Sequence, residues 1–99
     1  IDFADYAAPE LAAIYRGLMA AAGFHLAVSA DNALMEACDR MLRARAETFG
    51  NGRDMRTLWE RTREAQAGRV MRLPDRTTDD LVTVKAADID AAAAVGAAA

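Results

Sequence analysis

Apolar residues recur at helical spacing in three stretches of the chain. Leu11, Ile14, Tyr15, Leu18, Met19 and Ala22 fall three and four positions apart, which predicts a helix over residues 8–22 with one buried face. Pro9 suits its first turn, Glu10 complements the helix dipole there, and Gly23 stands where a helix ends in the left-handed conformation. A second helix is predicted over residues 30–48, capped by Ser29, with Asp31 in its first turn. Its apolar stripe is Ala30, Leu34, Ala37, Cys38, Met41 and Leu42, with Phe49 packing at its end. Arg40, Arg43 and Arg45 come late in it, where positive charge suits the dipole. Gly50-Asn51-Gly52 then turns the backbone, and a long third helix begins at Arg53. Advancing about 100° per residue puts Met55, Leu58, Trp59, Thr62, Ala65, Gln66 and Leu73 on one side. Arg53, Arg56, Glu60 and Arg63 fall on the other.

Two short stretches carry the alternation of strands instead. Residues 24–28, FHLAV, place Phe24, Leu26 and Val28 on one face, and residues 81–85, LVTVK, are β-branched and alternate. The two are expected to pair. Between the third helix and the second strand, Pro74 ends regular structure and Thr77-x-x-Asp80 has the spacing of a capping box for a single turn. A last helix starts at Ala86 without a strong cap, with Ile89 facing inward. Residues 1–6 alternate apolar and acidic side chains, as an extended linker or the end of a strand does. The fold class that follows is mainly α, a small bundle of about four helices with a short two-stranded sheet. Residues 1–7 read as a hinge from a missing neighbour, 8–92 as the helical domain, and 93–99 as an Ala-rich tail with little to bury that frays.

Composition narrows the function. Over half of the chain is apolar, but alanine supplies much of that share, so the core is thin. With 15 acidic against 12 basic residues, the chain lacks the basic excess of a dedicated nucleic-acid binder. Charge is uneven, however: six arginines against Asp54, Glu60 and Glu64 lie within residues 53–72. Cys38, being alone, forms no internal disulfide and reads as a small apolar residue in a reducing, cytoplasmic setting. No apolar run reaches membrane-spanning length. His25 is the single histidine and has no neighbouring Cys or His for a metal site; it reads as an outward side chain on its strand. Asp79, Asp80, Asp88 and Asp90 read as caps and solvated charges, the methionines as core filler, and Tyr6, Tyr15 and Trp59 as packing anchors. Ser29 and Cys38 have no base nearby in sequence to activate them.

The arginines are the candidate chemistry. A helix N-terminus exposes unpaired N–H groups and a partial positive charge, so Arg53 and Arg56 beside it form a site suited to an anion, phosphate above all. Against this stands a plainer reading, a solvated face with pairs such as Arg56 and Glu60 four residues apart, and physical grounds alone favour it.

Three segments shift that balance together: IDFADYAAPEL near the start, FGNGRDMRTLWERTREAQAGRV in the middle and DDLVTVKAADI near the end. Over residues 1–90 the chain resembles the C-terminal lid of AAA+ ATPases of the CbxX/CfqX group, which includes red-type Rubisco activases, sporulation ATPases and type VII secretion ATPases. The middle segment is the most specific. The family pattern there is G-N-A-R-x-V-R-N-L-x-E-x-A, and Gly50, Asn51, Arg53, Arg56, Leu58 and Glu60, with the later Gln66 and Arg69, stand where it expects them. Gly52, Met55 and Thr57 replace the usual Ala, Val and Asn, and Ala7 stands where Ser or Thr is common. The resemblance implies that Arg53 is the sensor-2 arginine touching the ATP phosphates, with Arg56 as a second phosphate or interface residue. It further implies a larger nucleotide-binding subdomain joined through residues 1–6, neighbouring subunits of a homo-hexamer, and a protein substrate that is remodelled. ATP and Mg²⁺ are then cofactors of the whole ATPase, with neither held tightly by this chain alone, which by itself is not catalytic. A membrane is not among the expected partners, nor is nucleic acid.

The rival reading is a freestanding helical module that binds an acidic protein or RNA through the Arg53/Arg56/Arg63 face, in a salt-sensitive complex. A G-x-x-x-x-G-K-[ST] loop in the same reading frame upstream of Ile1 decides for the ATPase.

Overall fold

The computed structural model describes residues 8–44 and 52–98, with side chains for 8–43 and 54–94. The expectations for the hinge at residues 1–7, for Tyr6, for the second helix beyond residue 44, for Arg45 and Phe49, and for the turn at Gly50-Asn51 lie outside these residues.

Within them the chain forms α1 (Ala8–Ala21), β1 (His25–Leu26), α2 (Ala30–Ala44), α3 (Gly52–Met71), α4 (Thr78–Val82), β2 (Thr83–Val84) and α5 (Ala86–Ala98). The mainly α class with a small two-stranded sheet holds. α3 packs on α1 and α5, and α2 packs on the same two, so the four long helices enclose one core. Leu11, Tyr15, Leu34, Met55, Val84 and Ile89 are its largest fully buried apolar side chains. The periodic stripes deliver them. Leu11, Tyr15 and Met19 of α1 are buried as their spacing predicts, while Ile14, Leu18 and Ala22 are half-buried at the margin. In α2 the stripe is Ala30, Leu34, Ala37 and Cys38, with Met41 and Leu42 half-buried against it.

α1 ends as its glycine predicts. Gly23 has φ 86°, a conformation that favours a residue without Cβ. Its N–H donates to the Ala20 carbonyl and the Phe24 N–H to the Met19 carbonyl, both at 3.0 Å, the paired bonds of a Schellman ending. That reversal delivers Phe24 to Trp59, with ring centroids 5.2 Å apart and planes at 74°. Tyr15 meets the same indole, at 5.7 Å and 87°. Both are edge-on arrangements that the ring quadrupoles favour. The Tyr15 hydroxyl is fully buried without a hydrogen-bond partner, and the neighbouring Thr62 hydroxyl donates to the Leu58 carbonyl instead. Burial therefore pushes the Tyr15 phenol well above its ordinary value of 10.0.

The two strands pair as expected, in parallel, with His25 opposite Thr83 and Leu26 opposite Val84. A parallel pair needs a long crossover, and here α2, α3 and α4 supply it. The second strand is shorter than its alternation suggests. Leu81 and Val82 belong to α4, because the Thr77/Asp80 capping box starts a helical turn that runs up to Thr83. Leu81 is 53 % exposed as a result. A second correction concerns Met71, which is 71 % exposed at the end of α3 while Met19 and Met55 are core residues. Val70 takes the buried position there.

Trp59→Ala should cost about 3–5 kcal/mol, because it removes the ring shared by Tyr15 and Phe24 and leaves a cavity. Tyr15→Phe, which removes only the unpartnered hydroxyl, should change stability by less than about 1 kcal/mol. Urea denaturation of both variants tests this. Cys38 is fully buried, and burial, aided by Asp39, pushes its thiol up to about 11. Its alkylation at pH near 8 should therefore track global unfolding; rapid labelling of the folded protein is the contrary result.

Candidate functional site

α3 carries the predicted site at one end and an unpredicted one at the other. At its start, Arg53 lies in the first turn of the helix, and its side chain is outside the described residues. Asp54 shares that turn. Arg56 is exposed, one turn further on, and three positions from Arg53, so the two occupy neighbouring positions on one face. Met55, Leu58, Trp59 and Thr62 on the opposite face are all buried. The apolar stripe thus fixes the rotation of the helix and turns Arg56 to solvent. Arg63, also exposed, stands apart from them, its guanidinium carbon 5.1 Å from the centre of the Phe24 ring, a cation–π contact.

The other end of α3 is tied down by polar groups. Gln66 is 3 % exposed, and its amide nitrogen lies 3.0 Å from the Asp80 carbonyl and 3.2 Å from those of Leu81 and Thr83. One side-chain amide thereby serves carbonyls in the last turn of α4 and in β2. One turn on, Arg69 binds Asp88 through two parallel bonds, Nε to Oδ1 at 2.8 Å and Nη2 to Oδ2 at 3.0 Å, and Nη2 also reaches the Thr83 carbonyl at 3.2 Å. This is the planar fork that arginine makes and lysine cannot. The Asp88 carboxylate also accepts the Lys85 N–H at 2.9 Å, so it caps the start of α5 from within. The hydrogen bonds Arg69 donates to Asp88 outweigh desolvation and raise the Arg69 pKa above its ordinary value.

Asp88 corrects the expectation of a solvated charge: it is 2 % exposed and paired. The signal was present in the Lys85-x-x-Asp88 spacing, which is that of an N-cap and the residue that reaches back to it. A charge-bearing partner 19 positions upstream gives no local pattern to read. Asp80 fits its role as a cap: its carboxylate accepts the Thr77 N–H at 2.8 Å while the Thr77 hydroxyl accepts the Asp80 N–H at 3.1 Å. Those bonds from Thr77 hold the carboxyl below its ordinary 3.8. His25 is exposed on its strand as expected, yet its Nε2 lies 3.2 Å from both Asp79 Oδ1 and Thr83 Oγ1. Among the described residues, no group of three or more His, Cys, Asp or Glu side chains is arranged to hold a metal ion. Nor is any helix among them long and apolar enough to cross a membrane.

Four helices around one core, closed by a two-residue parallel sheet, thus make a small helical domain whose α3 has an arginine-bearing start at one end and a polar clamp at the other. Residues 7–99 match the family model described as the AAA lid domain, and the chain belongs to that family. It is similar to the protein named "Protein CfxQ homolog" of Pyropia yezoensis, with 33% identity over 91 residues, 90% of this chain. The chain spans 30% of the length of that relative. It is therefore a lid domain of the CbxX/CfqX type.

Arg69→Met should destabilise the domain by about 3–5 kcal/mol, because it leaves the buried Asp88 carboxylate without its partner. Arg69→Met with Asp88→Leu should recover part of that loss, and thermal melts of Arg69→Met, Asp88→Leu and the double variant measure the coupling. As pH falls, Asp80 resists protonation until below its ordinary 3.8, so its capping contribution is complete above that pH and is lost as pH drops through the lowered native value. Amide exchange at Thr77 should accelerate over that acid window, and Asp80→Asn should flatten the transition.

Proposed function

We propose that this chain is the sensor-2-bearing lid of an AAA+ ATPase that couples ATP binding and hydrolysis to the remodelling of a protein partner. Arg53 is the phosphate contact and Arg56 the second, as a phosphate or interface residue. The observation that carries the reading is the placement of the two arginines in the opening turns of α3, opposite a face that is buried without a break from Met55 to Thr62. Membership of the AAA lid family and similarity to a CfxQ homolog give that placement its meaning.

The residues fit one end of a nucleotide. A guanidinium at a helix start pairs with phosphate oxygens by charge-assisted hydrogen bonds, and the unpaired N–H groups and dipole of the helix reinforce it. They do not fit the rest: the described residues hold no carboxylate cluster for Mg²⁺. The remaining contacts belong to a larger nucleotide-binding subdomain of the same protein, with which the lid associates, and to neighbouring subunits of a homo-hexamer. Bound there, ATP supplies the transferable phosphoryl group. The part of this chain is to place a positive charge on the outer phosphates, and to lose that partner when the phosphate leaves. Rotation of the lid about the hinge at residues 1–7 then transmits the loss.

In the full ATPase, Arg53→Ala should lower the ATPase rate by about tenfold to a thousandfold while the lid stays folded by circular dichroism. Arg56→Ala should have a smaller effect. Unchanged turnover and nucleotide affinity in Arg53→Ala would defeat the assignment. The 99-residue chain on its own should neither hydrolyse ATP nor bind it tightly.

A further inference from the structure

Two of the three large apolar side chains exposed among the described residues, Met71 and Leu81, meet in one place. They line a groove of about 450 Å³ between the end of α3 and α4, with Phe24, Val70, Arg63 and Arg76 completing its walls. Its lining contains two arginines and no carboxylate. Glu60 and Glu64 of α3 and Asp75 beside Arg76 lie outside that lining, and the acids of α4 and of the first turn of α5 are engaged elsewhere. Asp79 faces His25, Asp80 accepts from Thr77 and Asp88 from Arg69 and Lys85. Arg63 and Arg76 have no carboxylate partner among the described residues. Both are nonetheless held in place, Arg63 over the Phe24 ring at 5.1 Å and Arg76 by its Nη1 donating to the Met71 carbonyl at 3.2 Å.

We propose that this groove is a docking site for a protein segment that carries one large aliphatic or aromatic side chain flanked by Asp or Glu. The apolar floor takes the anchor, and the two guanidiniums, fixed by their own contacts, offer their remaining N–H groups to the flanking carboxylates. Nucleic acid fits less well, because phosphates gain nothing from Met71, Leu81 and Val70. The site is remote in sequence from Arg53 and goes beyond the nucleotide reading, which stands or falls separately.

Panning the 99-residue chain against phage-displayed random peptides should enrich an apolar residue between acids. A synthetic peptide of that pattern, followed by fluorescence anisotropy, should bind at least about tenfold more weakly to Leu81→Asp and to the Arg63→Ala/Arg76→Ala variant. Its amide counterpart, with Gln for each Glu, should bind the unaltered chain comparably weakly. Circular dichroism checks folding, and Met71→Asp, at a more exposed position, replaces Leu81→Asp should that variant unfold. Enrichment of peptides without acids, or affinity indifferent to both apolar substitutions, overturns the proposal. So does an oligouridine that displaces the peptide and binds more tightly than it.

Discussion

The Arg69–Asp88 pair is the interaction on which the second half of the domain depends. A carboxylate as deeply buried as Asp88 is costly to desolvate, and only a complete set of donors offsets that cost. The set is complete here because three elements contribute: the fork of Arg69 from α3, the Lys85 N–H at the start of α5, and the geometry of β2 that brings them together. Gln66 performs the neutral version of the same task for the carbonyls of residues 80, 81 and 83. A two-residue sheet satisfies few backbone groups, so a short strand can be buried only where side chains replace the missing ladder. The length of β2 and the polar clamp on α3 are therefore one fact described twice.

What was legible in the sequence was whatever repeats locally. The stripes of α1, α2 and α3, the Gly23 ending and the Thr77/Asp80 box each rest on residues within a turn or two of one another, and each appears in the structure. Leu81 and Val82 fall in α4 rather than in the strand their pattern predicts, because β-branched alternation over five residues does not distinguish a strand from a capped turn that leads into one. The cap decided. Asp88 looked solvated because its partner comes from another helix. Met71 looked internal because methionine is usually core, yet its position on α3 falls off the buried stripe that Val70 continues. For the candidate site, the spacing of Arg53 and Arg56 relative to Met55 and Leu58 was readable, and so is the solvent-facing side of Arg56. The partner of those arginines lies outside any pattern within these residues.

α3 emerges as a helix with two kinds of attachment. Its first half is held by apolar contact and an aromatic cluster, which fix rotation without a unique polar register. Its second half is held by directional bonds to α4, β2 and α5. Under the proposed function this division suits a part that turns as a body, since the hydrogen-bonded end transmits displacement and the arginine end meets the ligand. Gln66 and Arg69, which carry no charge toward a nucleotide, acquire a reason to accompany Arg53 in the same motif.

The parallel pairing of β1 with β2 has a consequence for how the domain comes into being. His25 and Thr83 lie 58 residues apart, so their contact closes a long loop whose entropy is spent before the strands gain anything. Val84, Ile89 and Ala92, all buried, arrive later still, and α2 and α3 both rest on α5. A nascent chain leaving the ribosome thus has α1, α2 and α3 available as preformed but unsealed helices. The core closes only once the α5 segment has emerged, because α2 and α3 both bury surface against it.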